Sequence, residues 1–136
     1  NLMVSKFLKK IIAKDQLGLN TISAICSESK IKIGNIKFLK KNKIFLLLIE
    51  RFNKESINEE QKVNSILKFE YISASKSKNI NQNNNDTILE LISINLFKKD
   101  RNYEITLLFL NNIIITLTAE IIEVTLEDQK INDKNW

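Results

Sequence analysis

The spacing of apolar positions changes once along the chain. Leu19, Ile22, Ile25 and Cys26 follow at steps of three, three and one, which places them on one face of a helix. Asp15 stands where a side chain can cap the first amides, so a helix is expected over 15–28. Ahead of it, 7–13 (FLKKIIA) suits a short opening strand. From Lys30 the period is two. Ile31 and Ile33 face one way, and Ile36 and Phe38 resume one residue out of step, with a bulge expected at Gly34–Asn35. The segment 44–52 (IFLLLIERF) is an apolar run that suits a central strand covered on both faces. Polar residues at 53–62 predict a loop, and the asparagine-rich 79–86 predicts a second, mobile one. Strands are expected at 87–97 and 103–110, joined by KKDRN, and Asn111–Asn112 makes a tight turn. The segments 63–78 and 113–126 each alternate, slip and resume. A bulged strand fits both, and the β-branched residues favour strand over helix in the second.

The order strand, basic turn, apolar strand, polar gap, bulged strand occurs twice, at 30–76 and 87–126, with LKFEYISA (67–74) matching LTAEIIEV (117–124). The expected fold is therefore α+β and mainly antiparallel. Six to seven strands would form two similar three-stranded meanders, packed as a sandwich or curled into a barrel, with the helix over an open side. A chain of 136 residues is expected to form a single domain over 1–136 with this internal pseudo-repeat.

Composition changes the picture mainly by exclusion. The chain has no histidine and no proline, and its glycines are Gly18 and Gly34. Histidine-based triads and common zinc hydrolase sites are excluded, and so is a glycine-rich phosphate loop. One cysteine, Cys26, rules out an internal disulfide and a multi-cysteine metal site; it is expected on the buried face of the helix. The net charge of +5 is nearly all lysine, since Arg51 and Arg101 are the only arginines. AT-rich coding accounts for the abundance of Lys, Asn and Ile as well as an anionic ligand would. Glu59–Glu60 and the run Glu120, Glu123, Glu127 and Asp128 are expected to be solvated carboxylates that balance nearby lysines. No catalytic residue, metal site or cofactor is indicated.

Two features could bind an anion. Arg51 continues the row Phe45, Leu47, Ile49, so it must reach solvent or meet a carboxylate at the edge of the core. The turns containing Lys40, Lys41 and Lys43, and Lys98, Lys99 and Arg101, would form a phosphate-binding patch if both tips shared one rim.

Three stretches carry a resemblance: DQLGLNTISAICSESKIKIGNI (15–36), KNKIFLLLIERFN (41–53) and AEIIEVTLEDQKINDKNW (119–136). In them stand Asp15, Ile22–Ser23–Ala24, Phe45, Arg51–Phe52, Ile122–Glu123, Leu126–Glu127–Asp128 and Trp136. Together these residues resemble a family of short alphaproteobacterial proteins catalogued only as a domain of unknown function (family 2948). The chain differs from that pattern at Leu17–Gly18 and Glu50, and in having a second basic turn. The resemblance implies a cytoplasmic bacterial protein and brings no activity with it.

The function expected is a non-catalytic cytoplasmic binding or assembly module with a protein partner or a second copy of itself. The alternatives are a weak RNA- or phosphate-binding protein that uses the basic tips, and an enzyme with an Arg51-centred pocket. No apolar run is long enough to span a bilayer.

Overall fold

The computed structural model describes residues 8–53, 61–81 and 83–130. The chain is α+β: among these residues one α-helix accompanies ten strands, all paired antiparallel. Strand β1 (Lys10–Ala13) leads into α1 (Gln16–Cys26). The Asp15 side chain accepts from the Gly18 amide at 2.8 Å, closing the helix start. Leu19, Ile22 and Cys26 are buried on its inner face, with Ile25 partly buried beside them.

β2 (Lys30–Lys32) and β3 (Ile36–Leu39) are separated by a 3₁₀ turn over Ile33–Asn35 rather than by a simple bulge. A second 3₁₀ turn, Lys40–Asn42, leads to Lys43 in the left-handed region and then to β4 (Ile44–Phe52). β4 is not covered equally on its two faces. Phe45, Leu47, Ile49 and Arg51 are buried, while Leu46 and Leu48 are only half-buried and Glu50 is exposed. The expected 53–62 loop lies largely outside the described residues.

The two expected bulged strands are each two strands joined by a sharp corner, which, with the division of β2 from β3, raises the strand count from seven to ten. β5 (Lys62–Phe69) turns at Glu70–Tyr71 into β6 (Ile72–Lys78). After β7 (Ile88–Lys99) and β8 (Asn102–Phe109), β9 (Ile113–Ala119) turns at 120–123 into β10 (Val124–Asp128). Each corner sends its second strand to the opposite half of the molecule: β6 pairs with β9, and β10 pairs with β5. The corners are tied together where Glu70 N donates to Glu123 O (3.0 Å) and Glu120 N to Tyr71 O (2.9 Å).

The halves are therefore one sheet, ordered β1-β10-β5-β4-β2-β7-β8-β9-β6 with β3 on β4, rather than two separate meanders. The sheet does not close into a barrel. Its inner face holds one apolar cluster built from the alternate residues of every long strand, including Leu67, Phe69, Ile105, Leu107, Phe109, Ile115 and Leu117. Burying each such side chain contributes roughly 1.5–3 kcal/mol.

Past Leu91, β7 leaves β2, and the helix segment covers its edge. Leu91 N and O bond to Ser29 O and Glu28 N, and Ile94 N donates to the Ser23 hydroxyl at 2.9 Å. With glycine so scarce, asparagine and aspartate supply most of the left-handed turn positions: Asn79, Asp100, Asn111 and Asn112 all have positive φ.

Candidate functional site

Arg51 is turned inward. Its Nε and Nη2 donate to the two carboxylate oxygens of Asp128 at 3.2 and 2.9 Å, and its Nη1 donates to Phe52 O at 3.2 Å. The Arg51 and Asp128 side chains are 1% and 2% exposed. Ser65 Oγ, from the intervening β5, donates to Asp128 Oδ1 at 2.6 Å, and Lys9 N donates to Oδ2 at 2.9 Å. Sheet register brings these groups together. β5 lies between β4 and β10, with Ser65 opposite both Ile49 and Asp128.

Burial pushes the Asp128 carboxyl up. The hydrogen bonds from Arg51, Ser65 and Lys9, together with the charge of Arg51, outweigh burial and hold it below its ordinary value. The carboxylate stays ionised, and a forked arginine compensates it. Such a pair joins three strands and gives no open, singly charged pocket. Asp128 is thus not one of the solvated carboxylates expected from the sequence. The signal for it was available: Asp128 follows Val124 and Leu126 at a period of two, as Arg51 follows Phe45, Leu47 and Ile49.

The basic tips converge on the end of the sheet that holds the two corners. Lys43 O accepts from Ile72 N, and Lys43 Nζ pairs with Glu120 at 2.9 Å. Ala119, next to Glu120, lies opposite both Ile72 and Tyr103, and the Lys98 ammonium sits 4.4 Å from the centre of the Tyr103 ring. Lys99 pairs with Glu104 at 3.2 Å, and Arg101 is exposed in the turn. Lys40 and Lys41 are exposed on the first tip. Leu39, Tyr71, Phe97 and Ile121 add exposed apolar surface at the same end.

A cleft of about 460 Å³ opens beside the first tip. Ile36 and Phe38 of β3 line one wall and Ser75 and Ser77 of β6 the other, with Phe45 and Ile115 between them. The Lys43–Ile72 hydrogen bond closes one end. At the other, Gly34 N donates to Asn85 O at 2.9 Å, which brings the asparagine loop against the 3₁₀ turn. A Cβ on Gly34 would stand 3.1 Å from Asn85 Cβ and 3.2 Å from Asn85 O, so this approach suits glycine. Among the described residues, no ionisable side chain lines the cleft.

Cys26 is fully buried, in keeping with its place on the inner helix face. Glu59, Glu60 and Trp136 lie outside the described residues. Among the described residues, no helix is long and apolar enough to cross a membrane.

Residues 9–135 match the model of a family described as "Protein of unknown function (DUF2948)". No curated protein and no solved structure matches the chain. Of the motifs that carried the resemblance, Arg51–Phe52 and Leu126–Glu127–Asp128 meet through the Arg51–Asp128 pair, while Asp15 caps α1 and Ser23 binds the β7 edge.

Proposed function

We propose that this chain, which belongs to the DUF2948 family, is a non-catalytic binding module of an alphaproteobacterial cytoplasm that receives a protein partner along the β3–β6 cleft. One observation carries the reading: two strand edges face a cleft of about 460 Å³ whose lining is apolar, hydroxyl and amide. Such a surface offers apolar and hydroxyl contact, and none of its described lining residues is an acid or base that could activate the Ser75 or Ser77 hydroxyl. The same reading takes 1–136 as a single domain in which 30–76 and 87–126 are two copies of one unit. The mirrored strand order and the matched exchange of β6 and β10 support it.

The test is capture from the native host, with proteins and nucleic acids both identified. It compares the tagged wild type with Ser75→Trp, which fills the cleft. A protein partner lost in the variant, at unchanged melting temperature, is the expected result. Equal capture by both forms refutes the cleft as the site.

A second reading, RNA or phosphate binding by Lys40, Lys41, Lys43, Lys98, Lys99 and Arg101, draws support from the convergence of both tips on one end. It predicts binding that falls steeply with salt. No mobility shift at about 50 mM salt, where such contacts are strong, would refute it.

A further inference from the structure

The inner row of β7 ends in a charge, as that of β4 does. Lys98 follows Ile94 and Leu96 at a period of two, and Tyr103, opposite it, stands at the outer end of the row Ile105, Leu107, Phe109. Arg51 meets Asp128 at the end of its row. Among the described residues Lys98 meets no carboxylate, and its ammonium rests on the Tyr103 ring, 4.4 Å from the centre. We infer that the cavity these two residues border binds a small organic carboxylate with an apolar body. This goes beyond both readings above, and the site shares no lining residue with the β3–β6 cleft.

Three junctions of the chain meet at this cavity of about 320 Å³. The β7–β8 hairpin supplies Leu96, Lys98 and Tyr103, and the β9–β10 corner supplies Ile122. Leu96 and Tyr103 pack against the core and Ile122 is buried, so the floor is apolar. The turn from β1 into α1 adds Lys14, Asp15 and Gln16, which are polar and exposed. Among the described residues Lys14, like Lys98, pairs with no carboxylate, and the Tyr103 hydroxyl has no hydrogen-bond partner. The one carboxylate at the cavity is that of Asp15, and it already accepts from Gly18 N at 2.8 Å. The start of α1 is therefore closed by its own residue and is not the seat of the anion. Two ammonium groups against one carboxylate leave one positive charge in excess.

Such a site selects a ligand with two parts. A bare inorganic anion would leave the apolar floor wet, and a neutral apolar body would leave the lysines without a counter-charge. The carboxylate accepts from Lys14, Lys98 and the Tyr103 hydroxyl, while the body lies on Leu96 and Ile122. The volume is at the small end for ligand sites, which run to roughly 300–1,000 Å³, so it suits a single ring or a short branched chain.

The experiment follows backbone amide shifts of the full chain by NMR. The probes are hydrocinnamate, its neutral amide hydrocinnamamide, and inorganic phosphate. The proteins are the wild type, Lys14→Met/Lys98→Met, Gln16→Trp, which narrows the cavity, and Ser75→Trp, which fills the cleft instead; thermal melts check each fold. Hydrocinnamate should give saturable shifts at 14–16, 96–98 and 103 in the wild type and in Ser75→Trp. Hydrocinnamamide and phosphate should bind at least about tenfold more weakly, and the double lysine variant and Gln16→Trp should weaken hydrocinnamate by a similar factor. No saturable shift up to about 10 mM, too weak for a site, overturns the inference. Equal binding of hydrocinnamamide, or unchanged binding by the double lysine variant, overturns recognition of the charge. Equal binding of phosphate overturns the role of the apolar floor, and shifts confined to 33–38 and 75–80 overturn the location.

Discussion

Replacing Asp128 with asparagine keeps the shape of the side chain and removes its charge. Arg51, 1% exposed, would then face a neutral amide. Its two hydrogen bonds to the carboxylate at 3.2 and 2.9 Å would be weakened or lost, and Ser65 and Lys9 N would each lose a charged acceptor. Removing one partner of a buried ion pair typically costs about 3–5 kcal/mol. For a chain of this length that lowers the melting temperature by about 10–20 °C. The assay is urea unfolding of the wild type, Asp128→Asn, Arg51→Met and their double variant. The single variants should fall in that range and the double should be less than additive, with a coupling of about 2–3 kcal/mol. Arg51→Met/Ser65→Ala/Asp128→Leu, which replaces the network by apolar packing, should recover most of the loss. An Asp128→Asn variant within about 1 kcal/mol of the wild type, below the range for a broken buried pair, would refute the network as a structural link between β4, β5 and β10.

The same carboxylate predicts a pH dependence. Its pKa is lower folded than unfolded, so its stabilisation is fully present above the unfolded value near 3.8 and is lost as pH falls through the lower folded value. Urea midpoints should therefore drop in acid below about pH 4, and the triple variant should show a smaller drop. Ser23→Ala strands the Ile94 amide at the β7 edge and should cost about 1–3 kcal/mol, with faster hydrogen exchange at Ile94. Gly34→Ala crowds Asn85 and should cost about 1–3 kcal/mol, read as a lower melting temperature. Tyr71 has φ 60° at an exposed corner. Tyr71→Gly should raise stability by about 1 kcal/mol, less whatever packing the ring provides.

Local chemistry was legible where a residue's own neighbours decide its conformation. Asp15 marked the start of α1, and the step of three and four placed Leu19, Ile22 and Cys26 inward. Asn111–Asn112 marked the turn between β8 and β9 because asparagine tolerates left-handed φ. The period of two placed Ile31 with Ile33, and Phe45 with Leu47 and Ile49, in buried rows. It also singled out Arg51 as a charge in a core row. It did not separate a bulge from a corner. Both displace the alternation by one residue, and only the corner at Glu70–Tyr71 lets the next strand leave for the other half.

Fold class, the positions of the helix and turns, and several of the inward-facing rows were thus legible in the sequence, because these follow from propensity and periodicity over a few residues. Pairing between strands far apart in the chain was decided only in three dimensions. Asp128 is 77 residues from Arg51, and nothing in either stretch names the other; β5 brings them together by lying between β4 and β10. The cleft arises in the same way, where β3 of one half comes to face β6 of the other. Which strands face each other across it depends on the order of the whole sheet, and no single segment of sequence records that order.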